Sequence, residues 1–180
     1  MRAYIVHGAY GHPEENWFPW LKKELENLGI QAIVPKFPTP ENQSLQSWMD
    51  VMSQYNISEE DILIGHSIAP ALILRILEKQ KVKAAFFVAG FIGSLDNPDF
   101  DKINKSFFVE PFDWENIREN CKRFVMFNSE DDPYLTEKSV QMLAEGLGIT
   151  PIFIEDAGHF NAAAGYTEFP ELLEKIKETL

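Results

Sequence analysis

Short apolar runs recur along the chain and alternate with segments whose apolar residues repeat every three or four positions. The run at 62–64 is continuously apolar, which is typical of a parallel strand buried on both faces. Segments such as 136–146 instead carry their apolar residues on one face of a helix. The pattern predicts strands at 3–7, 31–34, 62–64, 82–89, 124–127 and 152–154, and helices at 17–28, 45–54, 68–77, 136–146 and 168–179.

This alternation predicts a single α/β domain over residues 1–180, with a six-stranded, mostly parallel sheet and helices on both faces. In such a three-layer fold, ligands bind at the carboxyl ends of the strands, where the strand order reverses. Asn16 is expected to cap the first helix. The segment 90–120 has the least regular pattern and is rich in aromatic residues. These aromatics either fill core beneath a long loop or line a substrate pocket.

The composition narrows the classes of possible partner. The 180 residues include 28 acidic and 16 basic side chains, for a net charge of −12. This balance disfavours nucleic acid and anionic membrane surfaces, because both carry negative charge themselves. Cys121 is the only cysteine, so no intrachain disulfide is expected. The first residues do not resemble a signal peptide and no apolar run has the length of a membrane span, so we expect a cytoplasmic protein.

A tight turn with a serine at its tip follows the strand at 62–64. The sequence Gly65-His-Ser-Ile-Ala69 approaches the Gly-x-Ser-x-Gly pattern of a nucleophile elbow, with alanine at the last position. Gly65 permits a sharp turn where a side chain would clash, and the next helix directs the positive end of its dipole at Ser67. We therefore predict that Ser67 is a nucleophile. A serine that only caps the helix is the alternative.

An acidic residue and a histidine follow later strands, in the chain order of the α/β-hydrolases. Asp132 comes after the strand at 124–127, and His159 comes after the last strand. A histidine can take the proton of a serine hydroxyl, and a carboxylate on its other ring nitrogen fixes the tautomer and stabilises the imidazolium. We assign these roles to His159 and Asp132. The neighbouring Asp131 is the alternative acid, and is otherwise expected to be a solvated turn residue.

The other expected parts of the site are main-chain donors and residues of the substrate cleft. The oxyanion hole should use the N–H of Ile68 and that of Ala9 or Tyr10, in the loop after the first strand. Tyr10, Phe107 and Trp114 are the candidate substrate-binding residues. We expect no metal site and no cofactor, because the four histidines lack zinc-ligand spacing and the glycines form no phosphate-binding motif.

The chain resembles the compact serine hydrolases of the retinoblastoma-binding serine hydrolase and YdeN type. The resemblance extends over nearly the whole chain and is carried by the segments 7–21, 65–67, 111–114, 129–133 and 158–160. Its most specific part is the stretch His-Gly…Asn-Trp-x-Pro-Trp-Leu between His7 and Leu21, which general hydrolases lack. The resemblance implies a shortened α/β-hydrolase with esterase-like activity and a serine, aspartate and histidine triad formed by Ser67, Asp132 and His159.

These observations predict a cofactor-independent serine hydrolase that cleaves small carboxylic esters, thioesters or amides through an acyl-enzyme. The rival hypothesis is a protein-interaction module that keeps the hydrolase fold and binds a protein partner through an aromatic surface around Phe107, Phe108 and Trp114. A flavodoxin-like nucleotide binder also fits the order of the elements, but the sequence has no phosphate-binding motif.

Overall fold

The computed structural model describes residues 1–180 and contains one six-stranded sheet flanked by helices. The strands are β1 (Arg2–Val6), β2 (Gln31–Ile33), β3 (Ile62–His66), β4 (Ala84–Val88), β5 (Phe124–Asn128) and β6 (Ile152–Phe153). The α-helices are α1 (Phe18–Asn27), α2 (Leu45–Met52), α3 (Ala69–Leu77), α4 (Pro98–Asn104), α5 (Trp114–Asn120), α6 (Glu137–Leu147) and α7 (Pro170–Lys177). Two 3₁₀ helices are Lys105–Phe108 and Ala162–Ala164.

The sheet has the order β2-β1-β3-β4-β5-β6, and every pair of neighbouring strands is parallel. The chain leaves β1 toward one edge and returns at β3 on the other side, so the order reverses between these two strands. Val6 of β1 pairs with Gly65 of β3, and His66 pairs with Val88 of β4. The loops after β1 and β3 therefore meet at the carboxyl edge, where ligands bind in such sheets.

Alternating side chains of the buried strands supply two cores, one on each face of the sheet. On β1, Tyr4 and Val6 face the core that is covered by α2, α3, α5 and α6. Ala3 and Ile5 face the core that is covered by α1 and α7. The predicted α/β class, with six strands and helices on both faces, is confirmed.

Side-chain caps mark the starts of two predicted helices. The Ser44 hydroxyl accepts from the N–H of Ser47 at the start of α2, and the Thr136 hydroxyl accepts from the N–H of Ser139 at the start of α6. In both cases the third helical residue bonds back to the cap, which completes a capping box. None of the helices combines the length and the apolar character needed to cross a lipid bilayer.

The segment 90–120 is more regular than its sequence pattern indicates. It contains α4, a 3₁₀ helix and α5, which are each too short to display a clear apolar period. Both α-helices begin at a side-chain cap: Asn97 accepts from the N–H of Asp99, and Asp113 accepts from the N–H of Asn116, at 3.1 Å in each case. The expectation of a largely irregular loop was wrong because caps, rather than periodicity, define these helices.

Candidate active site

Ser67 lies at the tip of the turn between β3 and α3. Its φ of 62° falls in the left-handed region, which is costly for a residue with a side chain and recurs at functional turns. The N–H of Ser67 donates to the carbonyl of Val88 at 3.0 Å and holds this conformation. A Cβ at Gly65 would lie 3.1 Å from the Cβ of Ala69. The missing side chain at Gly65 therefore leaves room for alanine at the usual glycine position.

Three side chains from separate loops meet at this turn. His159 Nε2 lies 3.1 Å from Ser67 Oγ, and His159 Nδ1 lies 2.7 Å from Asp132 Oδ2. The second carboxylate oxygen of Asp132 accepts from the N–H of Tyr134 at 2.9 Å, and only 2% of the Asp132 side chain is exposed. A proton on Nδ1 leaves Nε2 free to accept a hydrogen bond from the serine hydroxyl. This is the tautomer that a general base requires.

Asp131 contacts the same histidine loop in a different way. Its carboxylate accepts from the hydroxyl of Ser129 and, at 2.9 Å, from the N–H of Gly158. These hydrogen bonds, chiefly that of Ser129, hold the pKa of Asp131 below its ordinary value. The two adjacent aspartates thus divide between two targets: Asp132 contacts the ring of His159, and Asp131 contacts the main chain beside it.

His66 supports the histidine loop from beneath. Its Nε2 lies 2.9 Å from the carbonyl oxygen of His159, and because a carbonyl only accepts, Nε2 carries the proton. Burial, followed by the neighbouring charge of His159, lowers the pKa of His66 to about 3. His66 is therefore a neutral donor near neutral pH, and it serves the position of His159 rather than proton transfer.

Asn16 and Trp17, in the most specific segment of the sequence, both bond to the loop that carries His159. The indole N–H of Trp17 donates to the carbonyl of Phe160 at 3.0 Å, and Asn16 Oδ1 accepts from the N–H of Ala162 at 2.9 Å. Both bonds join the start of α1 to the histidine loop. The expectation that Asn16 caps α1 was wrong: Trp17 is the N-cap and makes no side-chain cap bond.

His7 and Gly8 shape the loop after β1. The N–H of Phe37 donates to His7 Nε2 at 3.0 Å, so His7 Nδ1 carries the proton and donates to the carbonyl of Gly8 at 2.8 Å. Burial lowers the pKa of His7 and keeps it neutral. A Cβ at Gly8 would lie 2.8 Å from the Cβ of Ser67, so this loop approaches Ser67 so closely only with glycine here.

Two main-chain donors beside Ser67 have no acceptor within the protein. They are the N–H groups of Ala9 and Ile68, which make no hydrogen bond. The N–H of Tyr10, the other candidate, donates instead to Thr39 Oγ1 at 2.7 Å. The arrangement leaves Ala9 and Ile68 as the donors that could receive an oxyanion.

A cavity of about 310 Å³ opens beside Ser67 and His159. Tyr10, a candidate substrate-binding residue, lines it together with side chains from the segment 90–120 and from the loop after β5. Phe91 and Phe100 belong to the aromatics of this segment for which the sequence left core and pocket open, and the other side chains were missed, since nothing in their pattern separates cleft from core. The lining includes Phe91, Leu95, Phe100, Asn104, Tyr134 and Leu135.

Phe107 and Trp114, the other two candidate substrate-binding residues, do not line this cavity. Phe107 is fully buried in the core, where its ring packs edge-on against Trp48 at 5.1 Å. Trp114 covers α6 so closely that a Cβ at Gly146 would lie 2.4 Å from the indole. The prediction for these two residues is corrected, and the burial of Phe107 also removes it from the aromatic docking surface of the rival hypothesis.

Comparison with known proteins identifies the family. The family model for serine hydrolases matches residues 3–178. This chain belongs to the serine hydrolase family. The hydrolase is 31% identical to serine hydrolase RBBP9 of Rattus norvegicus over 183 residues, which cover 99% of this chain and 95% of the relative. It is also 31% identical to YdeN of Bacillus subtilis over 175 residues, which cover 94% of this chain and 90% of YdeN.

The fold of the hydrolase matches the crystal structure of the ydeN gene product from B. subtilis. The TM-score is 0.90 at 29% sequence identity, and the match covers 99% of this chain and 97% of that one. The predicted family is confirmed, and the family and its neighbours establish that this protein is an enzyme of the hydrolase class.

Proposed function

We propose that this hydrolase cleaves small carboxylic esters, with Ser67 as nucleophile, His159 as general acid and base, and Asp132 as the residue that orients the ring. The observation that carries the proposal is the continuous relay from Ser67 Oγ through His159 to Asp132, with distances of 3.1 and 2.7 Å. The volume of the cavity beside it, about 310 Å³, supports a small-molecule substrate.

In the first half-reaction, His159 Nε2 takes the hydroxyl proton while Ser67 Oγ bonds to the ester carbonyl carbon. The oxyanion of the tetrahedral intermediate accepts hydrogen bonds from the N–H groups of Ala9 and Ile68. The bond to the alcohol oxygen then breaks, and His159 returns the proton to the leaving alcohol. This sequence leaves an acyl-enzyme on Ser67.

In the second half-reaction, water replaces the serine hydroxyl as nucleophile. His159 takes a proton from the water as the water oxygen bonds to the acyl carbon. The bond to Ser67 Oγ then breaks, His159 returns the proton to Ser67 Oγ, and the carboxylic acid leaves. The Asp132 carboxylate stabilises the imidazolium in both halves. The same steps apply to a thioester or an amide, with the proton delivered to the leaving sulfur or nitrogen.

Labelling of the purified protein with a fluorophosphonate tests the nucleophile without knowledge of the substrate. We expect rapid labelling that disappears in Ser67→Ala and collapses in His159→Ala. Hydrolysis of a chromogenic short-chain ester should fall in Ser67→Ala by roughly four to six orders of magnitude. A well-folded wild-type protein that neither labels nor hydrolyses esters would contradict the proposal.

A matched pair of substitutions tests the acid. Asp132→Asn keeps the shape but presents the wrong hydrogen-bonding group to His159 Nδ1, so kcat should fall by about 10⁴. Asp131→Asn weakens a main-chain contact of the same loop and should cost at most about tenfold, because the ring keeps its partner. The measurement is kcat for ester hydrolysis in both variants. Equal losses of kcat would refute the assigned role of Asp132.

A further inference from the structure

A chain of hydrogen bonds leads from the loop after β1 to the wall of the substrate cavity. The N–H of Tyr10 donates to Thr39 Oγ1 at 2.7 Å, and Thr39 Oγ1 lies 2.5 Å from Gln43 Oε1. Gln43 Nε2 then donates to Asn104 Oδ1 at 2.7 Å. Asn104 is the last residue of α4, is 3% exposed and lines the cavity that contains Ser67. The network thus connects a neighbour of the oxyanion donors to a buried amide.

The direction of the bonds in this network follows from the first bond together with the length of the second. The main-chain N–H of Tyr10 can only donate, so Thr39 Oγ1 accepts there and has its own proton to give. The 2.5 Å separation from Gln43 lies in the O–H···O range and below the N–H···O range, so Gln43 presents its oxygen to Thr39. Gln43 therefore presents its NH₂ group to Asn104, which accepts with Oδ1. Asn104 Nδ2 remains.

Asn104 Nδ2 makes no hydrogen bond to the protein, and this atom keeps some access to solvent although the residue as a whole is buried. The cavity that Asn104 lines is also lined by the apolar residues Phe91, Leu95, Phe100 and Leu135. Since Oδ1 is held by Gln43, Nδ2 is the group of this amide that is left to meet a substrate. The structure thus presents one free side-chain donor in the lining of the cavity that contains Ser67.

We infer that Asn104 determines substrate specificity by donating a hydrogen bond from Nδ2 to an oxygen acceptor that the substrate carries away from the scissile ester. The favoured substrates are then esters with an ether, keto or second ester oxygen, rather than plain alkyl esters. A site built to hydrogen-bond its substrate discriminates against the analogue that lacks the partner atom. The inference rests on the proposed ester hydrolysis at Ser67.

Oxygen-for-methylene pairs of esters test the inference. One series compares methoxy-substituted acyl chains with alkyl chains of equal length, and a second compares methoxyalkyl alcohols with alkyl alcohols. An ether oxygen only accepts and is close to a methylene group in size, so each pair isolates the acceptor. A pH-indicator assay gives kcat/KM for every ester. The preference is the ratio of kcat/KM for the ether ester to kcat/KM for the alkyl ester. At the position of the oxygen that gives the highest ratio, we expect this ratio to be about three- to tenfold larger in wild type than in Asn104→Asp.

Asn104→Asp is the matched variant because it keeps the shape of the side chain and an oxygen for Gln43, and replaces the donor toward the cavity with a carboxylate oxygen. Comparison of the two enzymes on the same esters cancels the intrinsic reactivity of each ester. Gln43→Glu gives a second test, with the residue at 104 unchanged. A glutamate accepts from both Thr39 and Asn104, so the Asn104 amide should turn and present its oxygen. The ether preference should then disappear, and hydroxyl-substituted acyl chains should gain instead.

The outcomes separate the inference from the proposed function. Fluorophosphonate labelling of Ser67 reports whether each variant is folded with a working nucleophile. Equal ether preference in wild type and in labelled Asn104→Asp and Gln43→Glu enzymes would overturn the role of Asn104 and leave ester hydrolysis intact. If Asn104→Asp does not label, the Gln43→Glu result decides. Absence of both labelling and hydrolysis in wild type would overturn the proposed function and the inference with it.

Discussion

The two walls of the cleft are held together by different kinds of contact. The triad wall, formed by the elbow and residues 156–161, is joined by hydrogen bonds from His66, Trp17 and Asp131, which come from three separate parts of the chain. The aromatic wall, formed by Phe91, Leu95, Phe100, Asn104 and Tyr134, is mainly apolar. Its rings meet edge-on, as Phe100 and Tyr134 do at 5.8 Å.

The difference matches what each wall has to do. The proposed proton transfer between Ser67 and His159 requires Ser67 Oγ and His159 Nε2 to stay at hydrogen-bond distance, and directional bonds to the main chain of the histidine loop maintain that distance. Binding of an apolar substrate chain requires only a complementary shape, which packed rings supply. Asn104 is the one amide side chain on the aromatic wall. Its hydrogen bond to Gln43 fixes the orientation of the amide group.

The largest expected effect is on stability, and it distinguishes core residues of the segment 90–120 from residues that line the cleft. Phe107→Ala should lower the free energy of unfolding by about 3–5 kcal/mol, because a fully buried ring is lost, with little change in kcat/KM. Phe100→Ala, in the cavity wall, should lower kcat/KM for longer esters at a smaller cost in stability. Urea unfolding and ester kinetics of both variants measure this, and the reverse pattern would restore Phe107 as a substrate contact.

A smaller effect is expected where one brace of the triad wall is removed. Trp17→Phe keeps an aromatic ring but leaves the buried carbonyl of Phe160 without its donor, which should cost about 1–3 kcal/mol of unfolding free energy. The histidine loop should loosen, so kcat should fall more than KM changes. Trp20→Phe is the control, since the Trp20 indole is only partly buried and makes no hydrogen bond. Equal effects of the two substitutions would argue against bracing by Trp17.

The last effect concerns the pH dependence of stability. Native His66 stays neutral down to a pKa of about 3, whereas the unfolded chain binds this proton near pH 6.5. Between these values the unfolded state holds more protons, so the unfolding free energy falls as the pH falls, by about 1.4 kcal/mol per pH unit. His66→Gln keeps a donor for the His159 carbonyl and does not titrate, so its pH slope should be shallower by that amount.

Unfolding of wild type and His66→Gln between about pH 6 and pH 4 measures the two slopes. His12→Gln, at a histidine whose side chain is 57% exposed, is the matched control for the loss of an imidazole ring. Identical slopes in wild type and His66→Gln would mean that His66 gains its proton in the native state and does not act as a neutral brace.

Much of the fold could be predicted from sequence because its cause is local. Continuous apolar runs such as 62–64 mark strands buried on both faces, and the order of Ser67, Asp132 and His159 after successive strands follows from the same pattern. The segment 90–120 escaped prediction because its helices are short and depend on single caps. Their apolar residues do not repeat often enough to distinguish a helix from a loop.

The sequence by itself determined the alternation of strands and helices, the turn at Ser67 and the loops that carry the acid and the histidine, because these depend on neighbours along the chain. Only the tertiary structure decided that Asp132 contacts the His159 ring while Asp131 contacts the main chain of Gly158. It alone decided that Phe107 lies in the core and that Asn104 lines the cavity. Adjacent or similar residues differ here because their partners are distant in sequence, and only packing of the whole chain brings those partners into contact.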